Sequence, residues 1–140
     1  MDRSLLRSGF VLLLLSLFTG LALPLLTNPR LGLSAHLSGI MSGTLLVVVG
    51  VIAGKLRLGA RGMRLLKGSW IYSAYSNWVA GLLGAAFGAS KLTPIAGAGT
   101  VGTPVQEAVV YVLLCTVVVS SLVAVGTVIW GLRGAEPAAR

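Results

Sequence analysis

The chain has 140 residues, enough for one domain; 56% are hydrophobic and 10% charged, and the mean hydropathy is +0.95. A soluble domain carries about a quarter charged residues, so this composition excludes a water-facing exterior and requires a lipid-facing one. The formal charge of +8 does not indicate nucleic acid, because the basic residues lie between apolar runs and form no patch interleaved with aromatics.

About 20 apolar residues cross the hydrocarbon core as a helix, and four runs reach that length. The first spans residues 8–26, after Arg3 and Arg7. It is too long for a signal-peptide apolar core and no convincing small-x-small cleavage site follows, so it reads as an uncleaved span.

The second run, 33–54, opens on Ser34-Ala35-His36-Leu37-Ser38-Gly39. His36 is the one histidine of the chain. It reads either as a buried imidazole satisfied by a carbonyl or hydroxyl, or as a heme ligand or proton carrier. One histidine cannot build a multi-His zinc site, whereas a single axial histidine suffices for a heme, whose porphyrin supplies the other four ligands. Gly39 and Gly43, then Gly50 and Gly54, make small-xxx-small steps that let backbones approach, within a bundle or between subunits.

The third run, 65–88, carries Trp70, Tyr72, Tyr75, Ser76, Asn77 and Trp78, and closes on a further small step at Gly84 and Gly88. Trp70 suits an interfacial belt. Tyr72 and Tyr75, three apart, are expected on one face. Asn77 is near mid-span, where an unpaired amide is costly, so it is expected to face protein or a cavity. The following loop, Gly97-Ala98-Gly99-Thr100-Val101-Gly102, matches G-x-G-x-x-G literally, but the dinucleotide fingerprint needs a βαβ unit, and this copy lies between two spans after Pro94. Glu107, after Gln106, starts the fourth run, 108–132. It reads as a favourable first-turn acid or as an acid–base group. Cys115 lies within the run and is expected to be a packing residue.

The fold class expected is an all-α integral membrane protein, one four-helix domain over 1–140, with short loops joining antiparallel neighbours. Arg3, Arg7, Lys55, Arg57, Arg61, Arg64, Lys67, Arg133 and Arg140 share one side, and Arg30 and Lys91 the other. The positive-inside rule puts both termini and the middle loop in the cytoplasm, in the inner membrane.

The stretch Asn28-Pro29-Arg30-Leu31-Gly32-Leu33-Ser34-Ala35-His36-Leu37, with Gly39-Ile40-Met41-Ser42-Gly43-Thr44, resembles the first-loop signature of the hydroxylaminobenzene mutases. Tyr75-Ser76-Asn77-Trp78 and Pro94-Ile95-Ala96-Gly97-Ala98-Gly99 extend the match. Those mutases are similar to the styrene oxide isomerases, four-span membrane enzymes. That second resemblance implies a homotrimer with heme b at subunit interfaces on one axial histidine, matching His36, and it matches a Ser-Asn pair to Ser76 and Asn77. Two isomerase positions differ: an asparagine six residues after the histidine falls on Ser42, and a tyrosine four after the asparagine falls on Gly81.

The resemblance implies a mutase converting an aryl hydroxylamine to an aminophenol, with heme iron as Lewis acid at His36. Asn77 and Ser42 are expected to orient the substrate's polar end, and Tyr75 and Trp78 to stabilise positive charge. Glu107 is kept as a candidate acid or base. The alternatives are an epoxide isomerase of the same architecture and a non-catalytic small membrane subunit or heme carrier.

Overall fold

The computed structural model of the protein describes residues 1–133, so the basic residue Arg140 lies outside the described residues. They form four long helices and one short one, with no strand among them. Helix α1 is Arg3–Leu21, α2 Pro29–Ile52, α3 Ala60–Phe87, α4 Pro94–Gly97 and α5 Pro104–Gly131. Single 3-10 turns follow α1 and α2, at Leu23–Leu25 and Ala53–Lys55.

Each long helix begins ahead of its apolar run, and for α1, α2 and α5 a side-chain cap sets the start. Asp2 accepts from the amides of Ser4 and Leu5, both at 3.1 Å, so α1 starts five residues before Ser8. Asn28 accepts from Leu31 N at 3.1 Å, with Pro29 in the first helical position, where no amide is needed. Thr103 and Gln106 cap each other's backbone reciprocally, with Pro104 first, at the start of α5. Helix α3 ends at Gly88, whose φ of +69° suits a residue without Cβ.

Helix α1 lies on α2, α2 on α3, and α3 on α5, while the backbone of α5 approaches neither α1 nor α2. The small-residue steps of α2 serve the α1 contact. A Cβ on Gly43 would sit 2.9 Å from Gly9 O, and one on Gly50 3.1 Å from Leu5 Cβ. The glycines therefore bring helices of one chain together. Leu5, Leu12, Leu46 and Leu66 are fully buried at that core.

Three helical stretches are long and apolar enough to cross a membrane: α1, α2 with its trailing turn to Lys55, and α5. Helix α3 is equally long at 28 residues but carries Arg61, Arg64 and Lys67 in its first turns. Helix α5 is the least buried of the three spans, and Val118, Val119, Leu122 and Ile129 stand exposed along it. Such a surface is unsuited to water and suited to lipid; the chain is a membrane protein.

The basic end of the molecule is tied together by Asp2. Its carboxylate pairs with Lys67 of α3, and its amide donates to Gly50 O of α2 at 2.7 Å. Burial alone would raise its pKa; the Lys67 ammonium and the two α1 amides outweigh that and hold it below the usual carboxylate value.

Candidate active site

The sequence-derived candidates separate onto two sides of α2. His36 faces α1: its Nδ1 lies 2.6 Å from the carbonyl oxygen of Ser16. A carbonyl only accepts, so Nδ1 carries the proton and, in the neutral ring, Nε2 keeps its lone pair. The imidazole fits because Gly20 has no side chain; a Cβ there would stand 2.7 Å from Nδ1 and 2.8 Å from Cε1. One turn further along α2, Gly39 leaves room for Ser16 and for the edge of Trp78.

Two aromatics of α3 close this side. Trp78 donates Nε1–H to Thr19 Oγ1 at 3.1 Å, and Tyr75 donates its hydroxyl to Ser8 O at 2.8 Å. Thr19 and Ser16 return their own hydroxyl protons to carbonyls one turn back, at 3.0 and 2.7 Å. Tyr72 does not share the surroundings of Tyr75 as its spacing suggests. Its hydroxyl meets Thr116 Oγ1 of α5 at 2.7 Å, because the two long side chains diverge around the helix.

On the other side, a cavity of about 140 Å³ lies over α3 between α2 and α5. Ser42 enters from α2, Asn77, Ser73 and Trp70 from α3, and Ser121 from α5. Trp70 packs against the core cluster here, instead of sitting in a surface belt. Ser73 is satisfied by Trp70 O at 3.1 Å. Among the described residues Ser42, Asn77 and Ser121 make no side-chain hydrogen bond, yet none of their polar atoms is sealed from contact with a ligand or solvent. Three partnerless polar groups on an otherwise apolar wall can hold a small molecule with one polar end.

Glu107 belongs to neither side. Its Oε1 accepts from Ser90 N at 3.1 Å and Gly102 N at 2.9 Å, and its Oε2 from Lys91 N at 3.0 Å. The carboxylate thus clamps both ends of the loop between α3 and α5. Asn28 stitches the same loop to α2, donating Nδ2–H to Gly97 O and Thr100 Oγ1, both at 2.8 Å. Gly97–Gly102 is a turn, with Ala98 and Gly99 at φ +48° and +88°; no strand precedes it, so it is not a dinucleotide fingerprint.

Sequence reasoning missed Ser16, Thr19 and Gly20 of α1, and Ser121 of α5. A signal for the first group exists: Gly9, Leu12, Ser16 and Thr19 recur at helical spacing and are all buried. Ser121 stands in a serine-valine run with no comparable mark.

The styrene oxide isomerase family model matches residues 1–133. The chain is 41% identical to hydroxylaminobenzene mutase HabB of Ectopseudomonas oleovorans over 139 residues, covering 99% of this chain and 84% of that protein. It is 40% identical to hydroxylaminobenzene mutase HabA of the same organism over 119 residues, covering 84% and 88%. No solved structure matches the chain.

Proposed function

The chain belongs to the styrene oxide isomerase family and is an intramolecular isomerase; on that premise we propose that it is a mutase converting an aryl hydroxylamine to an aminophenol. The observation carrying this reading is the likeness to a protein named as such a mutase along 99% of the chain. In the reaction the N–O bond breaks and a ring C–O bond forms. The ring carbon loses a proton, the nitrogen gains one, and no net redox occurs.

Heme b is the proposed cofactor, with His36 as its protein ligand. The hydrogen bond to Ser16 O supports the fit, because it leaves Nε2 as the free donor atom and fixes the ring. Bound there, the group supplies a Lewis acid for the substrate oxygen. Asn77, Ser42 and Ser121 orient the polar N–OH end by hydrogen bonds, and the faces of Tyr75 and Trp78 stabilise positive charge as the N–O bond weakens. Glu107, engaged by three loop amides, holds the loop in place.

His36 and Ser42 are six residues apart on α2, about 120° around the helix. A single chain turns them to different sides, so a site using both is completed by a second copy. This supports the homo-oligomer, a trimer, that the family resemblance implies. In the inner membrane, α3 is the third of four spans, and both termini and the α2–α3 connection are cytoplasmic. A periplasm-active reporter fused after Lys91 is expected to be active and one after Arg64 silent; activity at Arg64 overturns the orientation.

An epoxide isomerase is the competing reading. A Cβ on Gly81 would lie 3.0 Å from Ala35 Cβ, so the tyrosine of the isomerases has no room against α2, which favours the mutase. Detergent-purified protein given phenylhydroxylamine without reductant is expected to yield aminophenol containing no oxygen from isotopically labelled water. Turnover of styrene oxide in preference assigns the competing activity, and full solvent label overturns the internal shift.

A further inference from the structure

At the basic end of the molecule, the start of α3 and the last turns of α5 flank an open groove of about 520 Å³. Leu65 of α3 and Val123 of α5 line it, and Gly62 and Gly126 keep it wide. A Cβ at Gly126 would meet nothing within 4 Å. From Val123 to Arg133 the groove follows α5 for about 15 Å. It is therefore an elongated groove whose Leu58, Leu65, Val123 and Trp130 give an alkyl chain apolar contact.

Its end is cationic. Arg57 and Arg133 both line it. The Arg133 guanidinium stacks 3.5 Å over the Trp130 ring, itself in the lining, and donates Nη1–H to Trp130 O at 2.7 Å. A guanidinium has five N–H donors, so this clamp fixes Arg133 in place and leaves other donors for an anion. Arg61 and Arg64 of the first turns of α3 add to the field.

We propose that this groove binds an anionic phospholipid, with its phosphate on Arg133 and one acyl chain laid between α3 and α5. A zwitterionic lipid shares the phosphate but brings a cation toward the arginines. Basic pockets between membrane helices suit anionic headgroups for this reason, each arginine or lysine contributing about 1 kcal/mol near the surface.

The test is native mass spectrometry of the full-length protein, delipidated in detergent and mixed with phosphatidylglycerol or phosphatidylcholine. Phosphatidylglycerol is expected to bind about tenfold more tightly. Arg133→Gln, at an exposed side chain, is expected to abolish that preference. Gly126→Leu fills open space and is expected to lower binding of both lipids while helical circular dichroism is unchanged. Equal binding of the two lipids by the wild type overturns the proposal, as does full preference in Arg133→Gln. Displacement of the lipid by millimolar inorganic phosphate also overturns it, since the acyl groove would then contribute nothing.

Discussion

On the α1 side of α2, the polar groups that cross between helices have partners: His36 on Ser16 O, Trp78 on Thr19, Tyr75 on Ser8 O. On the α5 side, Ser42, Asn77 and Ser121 line a cavity and make no side-chain hydrogen bond among the described residues. The residue types are alike, and both sides sit among apolar helices. A polar group at membrane depth is costly unless satisfied. The first side is therefore finished scaffolding that fixes a ring in one tautomer. The second keeps hydrogen-bonding capacity that a bound molecule can use. On the reading proposed above, the satisfied side suits a cofactor's protein ligand and the open side a substrate.

That contrast breaks most directly at His36. His36→Ala is expected to remove heme and lower turnover by more than about 100-fold; absorption spectra and product formation measure both. A heme-loaded, active variant would remove the histidine from the mechanism. Co-expressing His36→Ala and Asn77→Ala copies sharpens the test: if sites are shared between copies, as proposed, the mixture is expected to be more active than either variant alone.

Asn77→Ala is expected to lower kcat/KM by about 10- to 100-fold and Ser121→Ala by about tenfold, as lost hydrogen bonds to a ligand do. Heme content is expected to stay unchanged in both, because neither side chain contacts His36 within its own chain. Loss of heme from Asn77→Ala would mean that cofactor binding does not rest on His36 alone.

Gly20→Ala acts in the opposite sense. Its new methyl would crowd the imidazole, so the spectrum is expected to shift and stability to fall by about 1–3 kcal/mol. A normal spectrum with normal stability would show that the ring is not held as described.

The smallest effect is at Asp2, remote from both sides. Its folded pKa is held below the ordinary value of 3.8, so its contribution is present above that pH and is lost as pH falls through the folded value. Thermal melts of the detergent-solubilised protein should lose stability in that acidic window, and Asp2→Asn should flatten the loss without moving turnover at neutral pH.

The sequence by itself determined the helical membrane class, the apolar runs, and His36 and Asn77 as residues out of place in a plain anchor. These are legible because lipid demands continuous apolar stretches and makes each polar exception costly. Tertiary structure alone decided that Gly39, Gly43 and Gly50 face α1 of the same chain, and that Tyr72 and Tyr75 go to different helices. It also decided that Ser121 joins Ser42 and Asn77, while Glu107 is engaged by three loop amides. The reason is geometric. A hydrophobic pattern fixes that a helix forms, but in a uniformly apolar environment it does not fix which face meets which neighbour. That choice comes from close packing of small residues and from the directions of a few hydrogen bonds.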